Sequence, residues 1–168
     1  MASNVFDALI MLDHVYAYIM APARTIQLHR HTRQWAVWCI IIGVSALLSI
    51  IRWSSVGVVP WLAHAMLCGA WLVMVSVIVD ASAQWMGCRS QLPSTIYWMG
   101  FAGVVRWLSP SVDAIQSVWP GLGALVLFGL NGVFLYYVAV TLTTIYGLTR
   151  WQVAWLVSIP LIAWFRSV

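Results

Sequence analysis

Charge is too sparse in this chain to cover an aqueous surface. Lys and Arg number 8 and Asp and Glu 4 among 168 residues, 7% in all, where a soluble domain carries roughly a quarter. Hydrophobic residues make up 63%. The hydrocarbon core of a bilayer is about 30 Å thick and a crossing helix needs roughly 17–25 apolar residues, so the long apolar runs predict one all-α integral membrane domain. The net charge of +4 owes its positive part to arginine alone, and the acids are Asp7, Asp13, Asp80 and Asp113. No basic face exists along which phosphates could line up, which argues against a nucleic-acid partner and leaves the arginines as topology signals. Cys39 and Cys68 fall inside apolar runs and Cys88 in a short loop, without the spacing of a zinc site or a disulfide framework, so unpaired thiols are expected. The first 20 residues carry acids and aromatics where a cleavable signal would have a basic start, so the first true span is expected to direct insertion itself.

Residues 5–20 mix apolar side chains with Asp7, Asp13 and His14, a pattern for an amphipathic helix in the membrane interface, ended by Pro22. Arg24, Arg30 and Arg33 then form a basic stretch suited to lipid headgroups. Five spans are expected. The first covers 35–51, closed by Arg52 and Trp53; the second covers 56–79, ending at Asp80 with Pro60 in its first turns. A polar loop, 81–95, leads to a third at 96–112, which carries Arg106 and which Pro110 should bend or end. The fourth covers 122–144 and the fifth 151–165. The predicted architecture is therefore about five transmembrane helices preceded by an interfacial helix, with 1–33 as a cytoplasmic segment and 34–168 as the membrane domain. Arginine bias puts the N-terminus, Arg89 and Arg150 inside, and Arg52, Arg166 and the C-terminus outside.

Two segments carry a family likeness. Met86-Gly87-Cys88-Arg89-Ser90 precedes an aromatic third helix with Gly100-Phe101-Ala102-Gly103-Val104, and Tyr146-Gly147-Leu148-Thr149 leads into Arg150-Trp151-Gln152-Val153-Ala154 before the last span. Together with Ala21-Pro22-Ala23-Arg24-Thr25, their order resembles the Yip (Ypt-interacting protein) family of five-span membrane proteins. The chain departs from that pattern at Val105, where the family often has proline, and at Gly87, where it has a Gly-Gly pair. The short segment before the first span resembles bacterial members, which implies a bacterial inner-membrane protein, with a eukaryotic endomembrane as the alternative. The resemblance implies a non-catalytic membrane organiser or accessory subunit of a membrane complex, partnered by the lipid bilayer and other membrane-protein subunits. Some bacterial relatives accompany transport complexes.

Ser45, His64, Arg106 and Asn131 fall at similar depths when each span is measured from its end at about 1.5 Å per residue. They are read either as interhelical glue, each bond worth about 0.6 kcal/mol and at most about 2, or as a polar pathway or headgroup site with Arg106 as its cation. The second reading is that of a transporter or lipid-handling protein. Asp113, about two turns beyond Arg106, is its candidate charge partner if the helix survives Pro110. His29 and His31 flank Arg30 but lack a third ligand, so no metal is expected. No activated nucleophile, phosphate-cradling glycine loop or paired membrane carboxylates are present in the sequence, so neither catalytic residues nor a cofactor are expected. Small residues at Ser45 and Ser49, Ala65 and Gly69, and Gly129 and Gly132 suit close helix packing. Boundary tryptophans 35, 53, 119 and 151 suit interfacial anchoring, while Trp71, Trp98 and Trp107 are expected to face lipid or another subunit.

Overall fold

The computed structural model describes residues 12–29, 39, 41, 43, 44 and 58–165, without the side chains of 58–62, 64, 65, 68, 106, 107, 109, 110 and 159–165. Every described element is helical, in keeping with the all-α class. In order these are α1 (12–20), α2 (Pro22–Leu28), α3 (Val58–Trp85), α4 (Leu92–Ala102), a 3-10 segment (Gly103–Leu108), α5 (Ser109–Val118), α6 (Pro120–Tyr146) and α7 (Arg150–Phe165). The first expected span at 35–51 lies outside the described residues, apart from helical Cys39, Ile41, Gly43 and Val44, and so do Arg30, Arg33, Ser45, Arg52 and Arg166.

Two boundaries differ from expectation, the end of α3 and the loop that follows it. α3 runs past Asp80 to Trp85, because the carboxylate is satisfied within the fold and does not have to leave the helix for water. The stop comes from Gly87, whose φ of 87° is open to a residue without a Cβ. Its N–H reaches Gln84 O (2.9 Å) and that of Cys88 reaches Ala83 O (3.1 Å), the paired bonds of a Schellman cap. The expected 81–95 loop therefore shrinks to 86–91.

The third segment is not one helix. α4 gives way at Gly103 to a 3-10 turn, seven residues before Pro110, and Pro110 sits in the first turn of α5, where its missing N–H costs nothing. α4, the 3-10 segment and α5 all pack on α6. Their run is antiparallel to it. Thr95 meets Tyr146 at one end, and at the other the α6 backbone at Gly123 comes so close to Gln116 that a Cβ there would collide with it. A single residue, Trp119, turns the α5–α6 corner, with Pro120 starting α6.

The aromatic core lies between α1, α4 and α6. Tyr18 is 1% exposed; its ring stacks on Trp98 and Tyr137 at centroid distances of 5.7 and 5.4 Å and meets Phe101 edge-on at 5.5 Å. Its hydroxyl is 2.8 Å from Thr141 Oγ1, and Tyr137 donates to Ile19 O at 2.6 Å, a carbonyl in the last turn of α1. Trp98, expected to face lipid or another subunit, is instead buried, because the docked α1 covers it. The N-terminal segment thus belongs to the core through Tyr18 and Ile26, while Leu12, Asp13, Tyr16 and Met20 point outward. Ala21 breaks the helix ahead of Pro22, and Thr25 donates back to the carbonyls of Ala17 and Ala21 across the break.

Candidate functional site

Two glycine turns assemble the one polar cluster that the described side chains resolve in detail. The Gly87 cap folds the chain back so that Ser90 and Gln91 face Asp80. At the end of α6, Gly147 has φ 66° and its N–H caps Thr143 O (2.9 Å), which leaves Tyr146 beside α3 and buries Leu148. Both oxygens of Asp80 are used. Oδ1 accepts from Gln91 N–H (2.8 Å) and Tyr146 OH (2.5 Å), and Oδ2 accepts from Ser90 OH (2.7 Å) and Gln84 Nε2 (2.8 Å).

Counting protons fixes the direction of the chain of bonds. Tyr146 has one proton and gives it to Asp80, so the 2.6 Å contact with Thr95 is a bond donated by Thr95. The same Thr95 hydroxyl lies 3.1 Å from Gln91 O, a weaker shared acceptor. Burial pushes the Asp80 carboxyl up. The bonds from Tyr146, Gln91, Ser90 and Gln84 together outweigh that and hold it below the usual carboxylate range. Burial, then the adjacent carboxylate, push the Tyr146 phenol well above its ordinary value, so it remains a donor at any ordinary pH. Cys88 Sγ sits 3.9 Å from Tyr146 O, a weak further tie between the turns. Beyond the second turn, Gln152 accepts from both the N–H and the hydroxyl of Thr149 at 2.9 Å, one half of a capping box for α7.

Sequence reasoning missed this cluster. It took Asp80 as the end of the second span, yet two of the segments that carry the resemblance meet around it through Ser90 and Tyr146. The available signal was a lone acid near a helix end, followed within a dozen residues by Ser and Gln, and a Tyr-Gly pair closing another apolar helix.

Of the expected polar layer, Asn131 is half-buried on α6, Ser45 lies outside the described residues, and only the backbones of His64 and Arg106 are described. Asp80 bonds both Gln91 and Tyr146, so these three residues mark one level from which depth can be measured. From Asp80 to His64 is 16 residues of α3, about 24 Å. From Gln91 to Arg106 is 11 residues of α4 and four of the 3-10 segment, about 24 Å. From Tyr146 to Asn131 is 15 residues of α6, about 22 Å. Counted along each helix, the three positions are thus similar contour lengths from that cluster, the 3-10 turn lengthening the Arg106 arm. That turn also removes the uninterrupted helix that would have put Asp113 on the face of Arg106; Asp113 is half-buried on α5.

Arg24, Arg89 and Arg150 are exposed. The ring of His29 packs against His14, with centroids 4.5 Å apart, and among the described residues no three metal-binding side chains gather. No family model, curated protein or solved structure matches the chain.

Proposed function

We propose that the chain is a membrane protein of about five spans that organises a membrane complex without catalysing a reaction, as its likeness to the Yip family implies. One observation carries the membrane part of this reading. α6 is 27 residues long and apolar around its whole circumference, yet only 22% of its most apolar window is buried, where the core helix of a soluble protein would be mostly covered. Leu125, Phe128 and Val133 of α6 and Met66, Met74 and Ile78 of α3 point outward. An apolar face of that extent needs lipid or a partner against it. Exposed Trp119 and Trp151 flank α6 at the two ends, as interfacial anchors do. At about 40 Å, α6 exceeds a 30 Å core, so the Asp80–Tyr146 end sits at headgroup level. In this reading Arg24, Arg30, Arg33, Arg89 and Arg150 face the cytoplasm of a bacterial cell.

The Asp80 cluster supports an organising role over a catalytic one, since its donors and acceptors are spent on one another. Extraction in mild detergent followed by identification of what stays bound tests the proposal: a membrane-protein subunit in fixed ratio is expected. The expected polar layer of His64, Arg106 and Asn131 motivates a second reading, a transporter or lipid-handling protein. A partner-free chain that moves a solute or lipid across vesicles, and loses that activity on Arg106→Leu, would establish it instead.

A further inference from the structure

A groove of about 390 Å³ runs between α6 and α7, open to the outside along its length. Its floor and walls are Gly132, Ala139 and Thr143 of α6 and Ala154 and Val157 of α7, and Arg150 stands at one end. Leu135, Val153 and the exposed Tyr136 complete the lining; the Thr143 hydroxyl is donated to Ala139 O of its own helix at 2.8 Å. Arg150 is the one charged residue of the lining, and it is exposed beside Trp151 at the end where the Asp80 cluster sits.

We propose that this groove holds one acyl chain of an anionic glycerophospholipid, with its phosphate against Arg150. Charge selects this occupant, and the described lining accommodates it. From Thr143 to Gly132 is 11 residues of α6, about 16 Å, which matches the roughly 15 Å hydrocarbon depth of a single leaflet. Charge agrees with length: an apolar slot with a cation only at its headgroup end complements a lipid whose one end is negative. The proposal rests on the membrane-spanning reading above.

The test uses the full chain in nanodiscs of phosphatidylcholine alone or with about one-fifth phosphatidylglycerol, with native mass spectrometry counting the lipids retained after the disc is stripped. Insertion is checked first by resistance of the cellular protein to alkaline extraction; a chain released by that treatment would sink the membrane reading itself. For an inserted chain, one phosphatidylglycerol per chain should be retained in preference to phosphatidylcholine. Arg150→Gln should weaken retention roughly fivefold and Arg150→Lys should largely preserve it. Ala154→Leu, on an exposed position of the groove wall, should abolish it while the melting temperature holds. Equal retention of both lipids, retention unchanged by Arg150→Gln and Ala154→Leu, or a dimer that forms regardless of lipid would each overturn the proposal.

Discussion

Tyr146 donates its phenolic proton to Oδ1 of Asp80 across 2.5 Å, tying α6 to α3 between residues 66 positions apart. A bond to an ionised, largely buried acceptor contributes about 1.5–3 kcal/mol. Tyr146→Phe should cost about that much in unfolding experiments in mixed micelles. Asp80→Ala should cost more, about 3 kcal/mol or above, since it strands the Gln91 N–H, the Ser90 hydroxyl and the Tyr146 phenol together. The double variant should lose less than the two single losses added; simple additivity would show that the two groups do not interact.

The same carboxylate makes stability depend on pH in a definite direction. Its folded pKa is depressed below the unfolded value of about 3.9. Its contribution is therefore fully present above that value and is lost as pH falls through the folded pKa. Melting temperature should decline from about pH 5 downward, and part of that decline should vanish in Asp80→Asn. Parallel curves for the two proteins would remove Asp80 as the cause.

Glycines differ in what they are for. At Gly87 the demand is a left-handed backbone with open space around it, so Gly87→Ala should cost about 1 kcal/mol. At Gly123 the demand is room against the Gln116 backbone, and no flexible side chain can yield, so Gly123→Ala should cost more and loosen the α5–α6 corner. Gly129, with nothing within 4 Å of an added Cβ, is the control and should tolerate Ala. Thermal denaturation of the three variants gives the ranking directly.

The docked N-terminal segment should depend on Tyr18. Replacing it with Ala removes a ring stacked on Trp98 and Tyr137 and a hydroxyl paired with Thr141, an expected loss of about 3–5 kcal/mol. Tyr18→Phe keeps the ring and should lose only about 1 kcal/mol. Limited proteolysis should then cut near Ala21–Pro22 in the Ala variant while sparing the Phe variant. Equal protection in both would mean that α1 is held by something other than this ring.

Much of the fold was legible because apolar runs and prolines act locally. The fourth segment is found within two residues at each end, and Pro22 separates α1 from α2 as expected. What was not legible depends on contacts distant in sequence. Asp80 read as a helix end because a lone acid after an apolar run usually seeks water; Ser90, Gln91 and Tyr146 remove that need, and the helix goes on. Trp98 read as an outward tryptophan because no local pattern shows that α1 will cover it. The 3-10 turn at Gly103 has no proline to mark it, and Arg106 within it does not by itself signal a break, whereas Pro110, the obvious marker, merely begins the next helix.

The most direct measurement asks whether the two ends of α6 lie on opposite sides of a membrane. In a chain with its native cysteines replaced, single cysteines at Gly121, Arg89 and Arg150 are probed in cells with a membrane-impermeant maleimide, before and after permeabilisation. Gly121 should react in intact cells, while Arg89 and Arg150 should react only once the cytoplasmic side is opened. Labelling of all three positions from the same side would contradict a membrane-spanning α6, and with it the reading of this chain as a polytopic membrane protein.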